Sequence, residues 1–238
     1  MCRQLLISLS HHSMAQSLLK RIDRDLAYIA ERLYAKAAEN QRSMNNHFTA
    51  KKIRELLNAF RRNVWMKRLV ADALKRSTDA VCEGKPLTQS GVQRASVCWK
   101  PWGFEVIGPI VRENVDCAEE GYTMKLIVLL GPTSRKVHED YTDASGRLRH
   151  AKAESLIVIY GSFDLGIGES EKDWQKPAEI QHLLEGEIFH IAAGMIYQPL
   201  ASNKRVAILL EVSKPNIGPG STTRLYDPNE RMRKIGDI

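Results

Sequence analysis

The sequence predicts a mainly β protein, an antiparallel β-barrel of jelly-roll type over residues 91–238, preceded by an α-helical region over residues 1–90. Three observations predict it. Short apolar, β-branched runs (Leu126 to Leu130, Leu156 to Tyr160, Val206 to Val212) are separated by Gly, Pro, Asn and Asp turns, the pattern of many short antiparallel strands. The run Leu156-Ile157-Val158-Ile159-Tyr160 closes at Gly161, as a strand buried on both faces does. Before residue 90 the apolar spacing is helical instead.

Met14, Leu18, Leu19, Ile22, Leu26, Ile29 and Leu33 recur at steps of three and four, one face of an amphipathic helix reaching Asn40. Thr49 suits the N-cap of a second helix, in which Ile53, Leu56, Leu57, Phe60, Val64 and Leu69 repeat the period. The two read as a helical hairpin that covers a sheet or mediates oligomerisation. Between Cys82 and Val97, Gly84, Pro86, Thr88, Gln89, Ser90 and Gly91 read as a linker, which places a domain boundary near residue 90.

Charge divides the same way. Residues 1–97 hold 18 Lys and Arg against 8 Asp and Glu, whereas residues 98–238 hold 17 against 20, so the net +7 comes from the helical front. Lys51, Lys52, Arg54, Arg61, Arg62, Lys67, Arg68, Lys75 and Arg76, with Trp65 among them, form a solvated face or a surface for nucleic-acid phosphates. No apolar run approaches the roughly 18 residues of a membrane span. Cys2, Cys82, Cys98 and Cys117 form no CxxC pair, and reduced thiols in a cytoplasmic protein are expected. Arg3, Lys20 and Arg21, with no acid before Asp23, also fit a mitochondrial presequence. Phosphate-loop, dinucleotide and serine-hydrolase signatures are missing, and Gly161 to Gly168 reads as a hairpin.

Lys100-Pro101-Trp102-Gly103-Phe104-Glu105 resembles the opening of cupin domains of the mannose-6-phosphate isomerase type, and the order of features after it is similar. Gly131-Pro132 leads to His138; Lys152-x-Glu154 runs into the apolar strand; Gly186 and Ala192-Ala193-Gly194 look like the second cupin motif; Thr223-Arg224-Leu225-Tyr226-Asp227 looks like the family's tail. The resemblance covers roughly residues 99–230.

It implies a divalent metal (Zn, Fe, Mn or Ni) in the barrel, with His138, His150 and Glu154 at the positions of the first motif and Tyr197 where the last histidine of the family stands. Imidazole and carboxylate are suitable donors for such ions. It further implies Glu154 as the group that positions or moves a proton, with Arg224 and Lys136 beside it to meet an anionic sugar substrate. An insertion from Glu139 to Arg149 separates His138 from His150. His182 and His190 read as ordinary strand residues, His11, His12 and His47 as surface residues, and Trp99 and Trp102 as barrel packing. Two functions fit: a metal-dependent, isomerase-like enzyme for a sugar phosphate or similar polar molecule, or a non-catalytic cupin whose basic front binds a partner or nucleic acid. A third reading is a structural homodimer or larger assembly, with the front helices supplying further apolar surface.

Overall fold

The computed structural model describes residues 24–40, 47–76, 96–107, 123–142, 146, 148–170, 176–201, 205–214, 222–226 and 228. The boundary expected near residue 90 and the first turns of the helix expected from Met14 lie outside them.

Among the described residues three helices form the front: α1 over residues 24–40, α2 (Ala50–Arg62) and α3 (Val64–Arg76). Thr49 caps α2 as its spacing predicts, its Oγ1 accepting from the Lys52 N–H at 3.3 Å. The second expected helix is two helices, because Asn63 breaks it. Asn63 has extended backbone (φ −121°, ψ 96°); its N–H donates to the carbonyls of Ala59 and Phe60, ending α2, and its Oδ1 accepts from the Met66 N–H, starting α3. The apolar period crosses this break undisturbed, so it could not reveal it.

Thirteen strands follow among the described residues: β1 (Ser96–Lys100), β2 (Gly103–Ile107), β3 (Thr123–Leu129), β4 (Arg135–His138), β5 (Tyr141–Thr142), β6 (Leu148–Arg149), β7 (Ala153–Tyr160), β8 (Ser162–Gly168), β9 (Glu179–Leu184), β10 (Ile188–Ile191), β11 (Ile196–Leu200), β12 (Ala207–Lys214) and β13 (Thr222–Tyr226). They make a six-stranded sheet ordered β1-β2-β3-β12-β7-β10 and a five-stranded sheet ordered β13-β4-β11-β8-β9, every pairing antiparallel, with β5-β6 a separate ribbon. From β10 to β13 each successive strand changes sheet, the connectivity of a jelly roll.

Alternation along the strands divides the apolar residues between two cores. Phe104, Val106, Leu126, Val128 and Ile208 point out of the six-stranded sheet onto Ile29, Leu33, Ile53, Leu56, Phe60 and Val70 of the helices. Ile127, Leu129, Leu156, Val158, Leu209, Phe163, Leu165 and Tyr197 point into the barrel. The helical front is thus a cover on one sheet, and Lys52 joins it to the barrel by donating to the Leu130 carbonyl. His47, expected at the surface, is half-buried with its ring against Gly131. Trp102 packs inside the barrel, while Trp99 packs outside it against Phe48 and Phe104, with ring centroids 5.9 and 5.2 Å away.

Gly161 to Gly168 is not a hairpin: β7 and β8 belong to different sheets, and Gly161 makes the corner between them. Its φ is +76°, and a Cβ there would stand 2.3 Å from the Val206 carbonyl oxygen, so both backbone and space require glycine.

Candidate functional site

One end of the barrel is polar, because a single ionisable residue interrupts each of several apolar strands at an inward-facing position. On β4, Lys136 and His138 share a face, two residues apart. Tyr197 of β11 is registered opposite Lys136, and the Lys136 ammonium lies 4.7 Å from the centre of its ring. Glu154 enters from β7, Glu211 from β12, Lys125 from β3 and Glu105 from β2, and Lys152 approaches just ahead of β7.

Hydrogen bonds through His138 fix its tautomer. The Tyr197 hydroxyl donates to Glu154 Oε2, so its oxygen is free to accept, and His138 Nε2 lies 2.7 Å from it. His138 Nδ1 lies 3.0 Å from the Thr222 hydroxyl of β13. A neutral imidazole carrying its proton on Nε2 satisfies every group: Thr222 donates to Nδ1, Nε2–H donates to Tyr197, and Tyr197 donates to Glu154. His138 Nε2 is also 3.1 Å from Glu154 Oε1.

The protonation states follow from burial and neighbours. Burial pushes His138 below its ordinary 6.5, outweighing the adjacent Glu154, so the ring is neutral. Burial raises the Tyr197 phenol well above its usual 10.0, and Glu154 adds to the effect, so Tyr197 keeps its proton. For Glu154, burial works toward protonation, but Lys136, His138 and Lys152 together hold the carboxyl well below the carboxylate range. It is an ionised carboxylate in an almost fully buried position.

Four lysines and three glutamates make up the charged shell. Lys100 lies 4.0 Å from Glu105, Lys125 lies 3.0 Å from Glu211, and Lys152 contacts Glu154 and stands 3.7 Å from Glu211. Lys136 is 3.9 Å from Glu154, which Lys152 already neutralises. It is the fourth cation against three anions.

The sequence-predicted residues divide. His138, Glu154, Tyr197 and Lys136 meet at one point. His150 does not: the insertion carries β5 and β6 away from the barrel end, and His150 is 76% exposed, 3.4 Å from Asp140. The expected convergence of His138, His150 and Glu154 is therefore corrected. Arg224 is registered opposite Lys136 on β13, so it leaves the sheet on the same face, but it is exposed beyond the buried cluster. His182 pairs with Asp164 at 2.6 Å on an exposed strand surface. His190 bonds Ser155 at 2.9 Å beside a groove of about 280 Å³ that both line together with Glu154, Ile191 and Val212. Sequence reading missed Lys125, Lys152, Glu105 and Glu211 as members of the site. Their signal was parity: each is a lone charge near an apolar strand at a position in phase with the inward residues.

The residues present do not fit a divalent metal. Among the described residues no three His, Cys, Asp or Glu side chains gather to hold an ion. The carboxylate that would ligate it is occupied by the Lys152 ammonium, with Lys136 behind, and a phenol that keeps its proton is a poor donor. Positive charge is already supplied at this point by lysine.

No protein-family model matches the chain, and no curated protein matches it. Solved structures show partial likenesses: a Klebsiella pneumoniae uncharacterized conserved protein with a double-stranded β-helix domain (16% identity, TM-score 0.32, 49% of this chain and 80% of that chain), Bacillus subtilis mannose 6-phosphate isomerase (20%, 0.35, 48% and 38%), and a mutant of Bacillus subtilis oxalate decarboxylase (20%, 0.42, 60% and 34%). The chain spans well under half the length of the two enzymes. At these scores the jelly-roll assignment rests on the strand order itself: the chain is a mainly β protein of two antiparallel sheets behind a helical front.

Proposed function

We propose that the polar barrel end is a cupin-type acid–base site that binds a small, oxygen-rich anionic molecule of the sugar-phosphate class and moves a proton on it. The observation that carries this reading is the ordered chain Thr222, His138, Tyr197, Glu154, in which a buried, ionised carboxylate is held by a phenol and a neutral imidazole. Glu154 is the proton acceptor. Tyr197 is the donor to an oxygen that gains charge, and His138 re-supplies Tyr197 along the Nε2–H bond. Arg224, exposed on the same face as Lys136, takes the anionic group through its planar fork. No step runs through a metal.

The test is exchange of the carbon-bound proton next to the carbonyl of fructose 6-phosphate in deuterated water, followed by NMR. The wild-type chain exchanges it, while Glu154→Gln and Tyr197→Phe lose it by about 100-fold or more, the usual weight of a general acid or base. Equal exchange in wild type and Glu154→Gln refutes the reading.

A second reading has its own observation. Lys51, Arg54, Arg61, Arg62 and Arg68 are exposed on α2 and α3, with Trp65 half exposed among them, on helices whose opposite face is already buried on the barrel. That surface suits nucleic-acid phosphates with one stacking aromatic. Binding of single-stranded RNA to the full chain that weakens steeply with added salt supports it, and no binding at low salt removes it.

A further inference from the structure

We propose that Lys136 is a nucleophilic amine that condenses with the carbonyl carbon of a small anionic ketone or aldehyde, forming a Schiff base at the barrel end. The inference rests on the acid–base reading above and names the group that would meet the substrate's carbonyl.

Charge matching singles out Lys136. Lys100, Lys125 and Lys152 each have a glutamate of their own, Glu105, Glu211 and Glu154 respectively, and these six groups sum to zero. As an ammonium Lys136 carries the one charge of the shell without a glutamate of its own, at a largely buried point, so of the four lysines it is the one that most readily yields the free amine. Its surroundings agree: burial lowers its proton affinity most, Glu154 and Glu211 offset part of this, Lys152 and Lys125 lower it again, and the net direction is down. Position agrees as well. The Lys136 side chain is 22% exposed, more than Glu154 behind it, so a molecule entering the barrel end reaches Lys136 before the carboxylate. Nζ lies over the Tyr197 ring, whose hydroxyl heads the hydrogen-bond chain to Glu154.

The step balances within these groups. The lone pair of Lys136 forms the new carbon–nitrogen bond as the carbonyl π electrons move to oxygen. That oxygen takes a proton from Tyr197, and Glu154 accepts one from nitrogen, giving a carbinolamine. Glu154 hands its proton back to Tyr197; the nitrogen lone pair then expels the hydroxyl, which takes that proton from Tyr197 and leaves as water, while Glu154 takes the last proton from nitrogen and returns it to Tyr197, so a carbon–nitrogen double bond remains and both groups end as they began. Nothing is oxidised or reduced. Protonation of that nitrogen from solvent places the iminium charge where the Lys136 ammonium stood, beside Glu154.

The full-length protein is incubated with dihydroxyacetone phosphate and cyanoborohydride, and the reduced adduct is mapped by peptide mass spectrometry. Labelling at Lys136 at least about 10-fold faster than at exposed Lys51 and Lys75 is expected, an advantage of the kind a desolvated amine with a neighbouring acid supplies. Lys136→Arg, checked for folding by its thermal transition, abolishes the fast label. Tyr197→Phe keeps Lys136 but slows the labelling, which a purely structural tyrosine would not do in a folded chain. Labelling of Lys136 no faster than of Lys51 overturns the proposal. Binding of the same probe without reductant, followed by calorimetry, separates the two ideas: binding with no fast adduct sinks the Schiff base alone, and neither binding nor adduct sinks the acid–base reading with it.

Discussion

Replacing Glu211 by glutamine should be among the most damaging single changes in the barrel, although Glu211 is outside the hydrogen-bond chain. Its carboxylate is almost fully buried and 3.0 Å from Lys125, directly opposite it in the β12–β3 register. Removing one partner of a buried pair leaves the other charge unmatched and costs about 3–5 kcal/mol. Lys125 is about a fifth exposed and keeps some attraction to Glu105, which favours the lower end, about 3 kcal/mol. For a chain of this size that is a fall of roughly 6–12 °C in Tm. Glu211 is the main reason the Lys125 ammonium is held above its ordinary range. A raised lysine contributes fully below its unfolded value and loses that contribution only as pH rises through the folded value, so the deficit should be constant from about pH 6 to about pH 9. The double variant Lys125→Met/Glu211→Leu removes both charges and should recover all but about 1 kcal/mol. Urea unfolding of wild type, Lys125→Met, Glu211→Leu and the double variant closes the cycle, with Glu211→Gln measured beside them. A Glu211→Gln cost below about 0.5 kcal/mol, or a double variant as unstable as the sum of the singles, refutes the reasoning.

Three further outcomes follow from the same geometry. Because the His138 pKa is depressed on folding, the unfolded chain binds more protons in the window just below the ordinary 6.5, so stability falls with acidification there, by at most about 1.4 kcal/mol per pH unit for one proton, and His138→Phe should flatten this slope in urea titrations at stepped pH. Gly161→Ala meets both a left-handed backbone and the Val206 carbonyl and should cost about 3 kcal/mol, whereas Gly146→Ala, at φ +78° in open space, should cost about 1 kcal/mol; equal losses would contradict the corner described for Gly161. His150→Ala should change stability by less than about 0.5 kcal/mol and leave probe binding at the barrel end unchanged, since its pair with Asp140 is exposed.

The period of the apolar residues was enough to foresee helices under Leu33 and Phe60 and strands under Val128, Val158 and Leu209. It could not foresee that Asn63 splits one helix into two, because a break of one residue barely shifts a 3.6-residue phase. It was equally blind to sheet membership, so Gly161 read as a hairpin turn when it is a corner between sheets. At the site, Glu154 was legible as a lone carboxylate just before the apolar run Leu156 to Tyr160, and Tyr197 only through the resemblance, standing where the family has its last histidine. His150 misled because its spacing to Glu154 fits the motif, whereas the insertion before it, which holds the β5-β6 ribbon, leaves it at the surface beside Asp140. Lys125 and Glu211 were hidden for the opposite reason. They are 86 residues apart in sequence and become a pair only when β3 and β12 are set in register.

The most direct measurement is proton exchange on fructose 6-phosphate by the full chain after exhaustive chelation, with metal content checked by elemental analysis. A site in which Lys152 and Lys136 supply the positive charge beside Glu154 keeps its exchange rate without bound metal, and added zinc, manganese, iron or nickel does not raise it. Exchange that vanishes on chelation and returns in proportion to one bound ion per chain would contradict it.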